Sequence, residues 1–256
     1  VLVAGGIDKK SGLNNFVADV QADESEGQNT AADTERESLT SKIDTSIPVI
    51  PGSRIAVVSK SVNGEYWKSV KAGMEAAVKD INEAHGFSKD EEITMTFEGP
   101  SDEQDVETQV NTLDAVIAEN PAVLCLAASD MDSCQAQLEA AEENGIPVVS
   151  FDSNVVDNDL VTSFIATDNA AVGQIAGEKL AEYLNGKGKV AVFSAQEKTE
   201  SIQKRIEGFE SAMSEQDGIT VVKELYMDQV EDMSAAMTEV LESYPDLAGV
   251  FCTNED

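Results

Sequence analysis

From Arg54 onward the chain alternates short apolar runs with amphipathic helical stretches, and it does so twice over. Consecutive parallel strands need a helix to bring the chain back, so this rhythm commits the fold to parallel sheets with right-handed crossovers. In the first run, Ile55–Ser59, Ile93–Phe97, Ala122–Ala127 and Ile146–Phe151 read as strands. Between them lie a long helix with Trp67, Val70, Met74, Val78 and Ile81 on one stripe, ending at His85-Gly86, and helices over Asp105–Ala118 and Cys134–Glu143. Val161–Ala166 is a short strand that crosses over. Asp168 and Asn169 then stand at the N-cap of a helix over Ala170–Leu184. Strands Lys189–Ser194, Ile219–Tyr226 and Gly249–Thr253 follow. They alternate with a helix bearing Ile202, Ile206, Phe209 and Met213 and another over Met233–Tyr244. The expectation is an α/β protein of two doubly wound lobes, residues 54–160 and 161–256, hinged near Asn154–Thr162 and again near the chain end. The last strand has no helix to cover it, so the second lobe is expected to be incomplete.

Residues 1–53 read differently. Asp8–Ser46 is rich in acidic and small polar residues without apolar periodicity, and is expected to be a disordered tether closed by Pro48, Pro51 and Gly52. Val1–Ile7 reads as the remnant of an export signal. It is similar to the end of a lipoprotein signal, with Gly5 and Gly6 where the acylated cysteine would stand, and equally to a plain flexible tail.

The formal charge is −32, from 49 acidic and 17 basic residues. A surface so acidic repels phosphate backbones and anionic headgroups, which argues against nucleic acid and membrane surfaces as partners. Cys125, Cys134 and Cys252 show no framework or metal spacing; Cys125 and Cys252 lie inside apolar runs as small hydrophobes. The Asx-rich stretch from Asp152 to Asp159 lacks the spacing and central Gly of a calcium loop, so no metal is expected. Enzymatic readings are weak. His85 is the only histidine, at a helix end, and no phosphate-cradling Gly-rich loop follows any strand.

Ligands of open parallel sheets bind outside the carboxyl ends of the strands. Those ends supply Lys60, Asn63, Tyr66 and Trp67, then Ser129 and Asp130, then Asp152 and Ser153. The second half supplies Gln196 to Thr199 with Arg205 on the next helix, then Asp228, Asn254 and Asp256. Planar polar groups hold pairs of hydroxyls while an aromatic ring stacks on an apolar ring face, which suits a neutral polyhydroxylated ligand. Each residue has a plainer role beside this one. Trp67 opens the apolar stripe of its helix, Asp152 can cap its loop, Arg205 can pair with Glu207, and Lys60 can be a solvated loop residue.

With these residues assembled, the chain resembles the type I periplasmic solute-binding proteins of the ribose- and galactose-binding class. The resemblance runs from about Arg54 to Asp256. It is carried by IAVVSKSVNGEYWKSVKAGMEAA, IPVVSFDSNV, FIATDNAAVGQIAG, RIEGF and PDLAGVFCTNED. It implies ring-stacking aromatics at Tyr66 and Trp67, a hydroxyl-binding carboxylate at Asp152, a binding arginine at Arg205, a binding asparagine at Asn254 and a ligand-facing Thr167. The pocket departs from ribose binders at Ser153, where they carry arginine, at Lys60 for a serine, at Ala127 for an asparagine and at Asp228 for an aromatic. The ligand set expected is therefore Lys60, Tyr66, Trp67, Asp152, Ser153, Thr167, Arg205 and Asn254.

The function implied is non-enzymatic and needs no cofactor. An extracytoplasmic, lipid-anchored or free substrate-binding protein captures a monosaccharide or similar small polar molecule by hinge closure. It then delivers the molecule, as a monomer, to an ABC permease. The alternatives are the ligand-sensing ectodomain of a membrane receptor or sensor kinase, and the effector domain of a lactose-repressor-type regulator.

Overall fold

The structure, a computed structural model, describes residues 2–4, 43–156 and 158–254. Most of the expected tether lies outside the described residues.

The first sheet has five parallel strands: β2 (Arg54–Val58), β3 (Thr94–Glu98), β4 (Val123–Leu126), β5 (Val148–Phe151) and β6 (Ser163–Ile165), in the order β3-β2-β4-β5-β6. Side chains alternate across a strand, so each strand feeds two cores. Ala56, Val58, Leu124, Leu126 and Val148 point to one face, where α2 (Val106–Ala118) packs Leu113, Val116 and Ile117 and α3 (Gln135–Glu143) packs Leu138 and Ala141. Val57, Ala127 and Phe151 point to the other, against Trp67, Val70 and Met74 of α1 (Gly64–His85). That helix stops where expected, at Gly86 with φ 67°, a left-handed turn that costs glycine little.

The three-residue β6 corrects the expected lobe boundary. Ser163 pairs with Val149 and Ile165 with Phe151 in parallel register, so this strand belongs to the first sheet. The chain crosses between lobes at Ala166–Asp168, C-terminal to the Asn154–Thr162 stretch. The reason is local: the Asp152 N–H donates to the Ile165 carbonyl and holds β6 against the end of β5.

The second sheet has β7 (Lys187–Ser194), β8 (Gly218–Tyr226) and β9 (Leu247–Cys252), all parallel about β7. Backbone pairing adds β1 (Leu2–Ala4) antiparallel beside β9. On one face lie α4 (Asn169–Tyr183) and α5 (Glu200–Ser214), with Leu180, Ile202, Ile206 and Phe209 against Val190, Val192 and Phe251. On the other lies α6 (Met233–Ser243), with Val240 against Ala191, Phe193 and Leu225. Helices α4 and α5 touch backbone to backbone. A Cβ at Gly173 would overlap the Arg205 carbonyl, and one at Gly208 would overlap that of Ala170. This close packing fixes where the Arg205 side chain emerges.

Candidate functional site

Both sheets turn their carboxyl ends toward the junction of the lobes, and a cavity of about 290 Å³ lies there. Its polar lining is Tyr66, Asp152, Thr167, Asn169 and Arg205; its apolar lining includes Phe151, Val149, Met74 and Ile165.

Asp152 is the centre of this lining. It follows β5 with φ 61°, a left-handed backbone that aspartate tolerates better than most residues. Its Oδ1 accepts from the Tyr66 hydroxyl at 2.6 Å, and its Oδ2 lies 2.7 Å from the Lys60 ammonium. Lys60 is buried and Asp152 largely so, their side chains 4% and 13% exposed. Burial by itself raises a carboxyl pKa. Here the charge of Lys60, the hydrogen bonds from Lys60 and Tyr66 and the charge of Arg205 outweigh it and hold Asp152 below its ordinary value. The Tyr66 phenol is pushed the other way, by burial first and then by its bond to Asp152.

Arg205 enters from the second lobe. Its Nε donates to Asn169 Oδ1 at 2.9 Å and its Nη1 to the Thr253 carbonyl at 2.7 Å. The guanidinium is thus braced by the first residue of α4 and the turn after β9, with further N–H groups left to donate. It is not the surface partner of Glu207, which pairs with Lys204 instead.

The expected ligand set separates into three groups. Tyr66, Asp152, Thr167 and Arg205 line the cavity. Lys60 and Ser153, 3% and 0% exposed, sit behind it in a polar seam between the lobes. There Lys60 Nζ reaches Ser201 Oγ at 3.4 Å, and Ser153 Oγ lies 2.7 Å from the same oxygen. Trp67 and Asn254 make up the third group, away from the lining. Trp67 is 2% exposed, edge-on to Phe151 at 6.3 Å and to Tyr66 at 5.1 Å, with its indole N–H bonded to Glu103. Successive residues on a helix point about 100° apart, and in this chain Tyr66 and Trp67 diverge. The stripe with Val70 and Met74 takes Trp67 into the core, and Tyr66, 47% exposed, takes the cleft. Asn254 Oδ1 accepts from Thr253 Oγ1 at 2.8 Å.

Sequence reasoning missed Asn169 and Ser201. The sequence places Asp168 and Asn169 together at the helix N-cap; Asp168 makes the cap bond, from the Ala171 N–H, and Asn169 turns its Oδ1 to Arg205. Ser201 sits one turn before Arg205, and that spacing on one helix face was the available signal. The seam continues with Thr199 Oγ1 donating to the Ser129 carbonyl at 2.6 Å, the Met131 N–H to the Lys198 carbonyl at 3.0 Å, and Gln196 to the Glu103 carbonyl at 2.9 Å.

Two doubly wound lobes meet at a polar cavity beyond their strand ends, a bilobal α/β architecture. A family model described as "Periplasmic binding protein domain" matches residues 55–256, and the chain belongs to that family. It is 25% identical over 207 residues to the D-ribose/D-allose-binding protein of Pseudomonas aeruginosa, a match covering 79% of this chain and 62% of that protein. Among solved structures, an ABC transporter solute-binding protein of Agrobacterium vitis bound with α-D-tagatopyranose is 31% identical with a TM-score of 0.71, covering 79% of this chain and 68% of that one. Another from Agrobacterium vitis, with bound D-fucose, is 29% identical with a TM-score of 0.66, covering 76% of this chain and 65% of that one. The chain thus spans less than two thirds of the length of its curated relative.

Proposed function

We propose that this chain is the greater part of an extracytoplasmic substrate-binding protein that captures a monosaccharide and presents it to an ABC permease. The observation that carries this reading is the convergence of Asp152 and Tyr66 from one lobe, Thr167 from the crossing, and Asn169 and Arg205 from the other lobe on a single cavity. Asp152 accepts a sugar hydroxyl at Oδ1, Arg205 donates to another through N–H groups it does not use for bracing, and Tyr66 supplies an aromatic wall. A hydrogen bond from a neutral group to a charged one contributes about 1.5–3 kcal/mol, and two such contacts from opposite lobes favour the closed state over the open one. The chemistry is binding without a covalent step. Relatives with bound tagatose and fucose support a hexose or deoxyhexose as the first ligand to try.

Titration calorimetry of the complete protein against ketohexoses, 6-deoxyhexoses, pentoses and polyols tests this. One sugar is expected to bind with micromolar or tighter affinity, and Arg205→Ala is expected to weaken it at least about tenfold. Folded protein that binds none of them would sink the reading.

A further inference from the structure

We propose that Glu103 is a positioning residue for the cavity: it anchors the Trp67 indole, and the Trp67 ring in turn sets the hydrogen bond between Tyr66 and Asp152. This deepens the binding reading and rests on it only for the effect on sugar. All four residues belong to the first lobe, so the arrangement is the same whether the lobes are open or closed.

The Tyr66 hydroxyl reaches Asp152 Oδ1 at 2.6 Å, although Tyr66 is 47% exposed. A half-exposed side chain keeps rotamer freedom that a bond to one carboxylate oxygen has to overcome. The ring of Trp67 limits that freedom. It meets Tyr66 edge-on at 5.1 Å and 80°, and it meets Phe151, the residue before Asp152, edge-on at 6.3 Å and 76°. Aromatic pairs favour this geometry. One buried ring therefore touches the donor residue and the neighbour of the acceptor.

Trp67 can set that bond only if its own ring is fixed. Packing with Val57, Ala127 and Phe151 buries it, but at 2% exposure its N–H also needs an acceptor. Glu103 is that acceptor. A bond to a charged acceptor is about twice as strong as one between neutral groups, so the carboxylate ties down the orientation of the indole as well as its depth.

The carboxylate is itself held. Glu103 lies between β3 and α2, where Asp102 Oδ1 accepts from the Gln104 N–H at 2.9 Å and Asp105 caps α2 by accepting from the Thr108 N–H at 3.0 Å. The same stretch is tied to the entry of α1. The Ser101 carbonyl accepts from Asn63 Nδ2 at 3.0 Å and from Ser61 Oγ at 3.2 Å, and the Pro100 carbonyl accepts from the Val62 N–H at 2.9 Å. The loop with Glu103 and the helix with Trp67 are thus bound into one piece. The two adjacent aromatics divide the work: Tyr66 faces the cavity and Trp67 aims it.

The test is a double-mutant cycle between Glu103 and Tyr66 in the complete protein. Glu103→Ala is expected to move Trp67 emission toward that of an indole in water and to weaken the sugar found to bind by about two- to tenfold. Tyr66→Phe removes the hydroxyl and keeps the ring. It is expected to cost about two- to tenfold in the wild-type background and clearly less in Glu103→Ala, because the bond it removes is already loosened there. Glu103→Gln, which still offers the indole N–H an acceptor, is expected to recover most of the emission and the affinity. A loop residue with a merely structural role weakens binding without that coupling or that rescue. Thermal melts of the same proteins repeat the cycle without sugar. Additive effects in the melts, or a Glu103→Gln protein no better than Glu103→Ala, would overturn the proposal even if sugar binds. Coupled melts in a folded protein that binds no sugar would keep the positioning role and remove the binding reading. Should Glu103→Ala not fold, Trp67→Phe, which keeps a ring and drops the N–H, takes its place in the cycle. An undiminished cost of Tyr66→Phe in that background counts against the proposal.

Discussion

Replacing Asp152 with asparagine isolates the charge of the cleft from its shape. Asparagine is at ease with the left-handed backbone at φ 61°, so the substitution carries no backbone cost, whereas alanine there would add about 1–2 kcal/mol of strain. What changes is the partner of Lys60. Removing one member of a buried ion pair costs about 3–5 kcal/mol. The asparagine carbonyl oxygen still accepts one hydrogen bond and returns about 1 kcal/mol. A net loss of about 2–4 kcal/mol is expected at pH 7, and for a chain of this size that is about 5–15 °C in Tm. The pH dependence gives a second check. Asp152 titrates below its ordinary value in the folded chain, so its contribution is complete above the unfolded carboxyl pKa of about 3.9 and is lost as pH falls through the lower folded value. The gap between wild type and Asp152→Asn, followed by circular dichroism melts, is therefore expected to stay constant from pH 8 to 5 and to shrink only below about pH 4. A gap under about 1 kcal/mol at pH 7, or one that closes between pH 8 and 5, would refute the buried pair as drawn.

Two further expectations follow from packing and burial. Gly208→Ala places a methyl group on the Ala170 carbonyl and should destabilise by about 1–3 kcal/mol, while Gly73→Ala, with open space at the same atom in α1, should stabilise by about 0.5–1 kcal/mol; paired thermal melts decide both. Burial pushes the Cys125 thiol up to about 11, and burial with the charge of Asp130 pushes Cys134 up to about 12, so neither should react appreciably with a thiol reagent at pH 8 until denaturant is added.

The α/β rhythm was legible because helices and strands announce themselves by period, and most elements fall within a residue or two of their expected bounds. Asp152, Arg205 and Tyr66 were legible as cavity-lining residues for a related reason: parallel strands put their carboxyl ends on one side, so residues just past apolar runs gather there, whereas Thr167 came from the family resemblance alone. The three-residue β6 carries no period to read, and its place in the first sheet depends on a hydrogen bond from Asp152. For Trp67 two signals conflicted. The helical stripe pointed to the core and the family resemblance pointed to the ligand; the stripe describes its position. Lys60 was legible as a polar strand end but not as a buried cation, because its second partner lies 141 residues away on the other lobe.

The contacts around Asp152 explain how a ligand at the cavity can act on the hinge. Its backbone N–H holds Ile165, the last residue of β6, immediately before the crossing at Ala166–Asp168. Its carboxylate holds Lys60, which reaches Ser201 at the start of α5. Further along α5, Arg205 packs its backbone on Gly173 of α4 and gives its Nε to Asn169, the first residue after the crossing. Hinge, carboxylate, ammonium, α5 and α4 thus form a closed ring of contacts that returns to the hinge. On the proposed function, a ligand hydroxyl on Asp152 or Arg205 would join that ring at two points on opposite lobes. Its binding energy would then be spent on the difference between open and closed, which is the only way a ligand can shift that equilibrium.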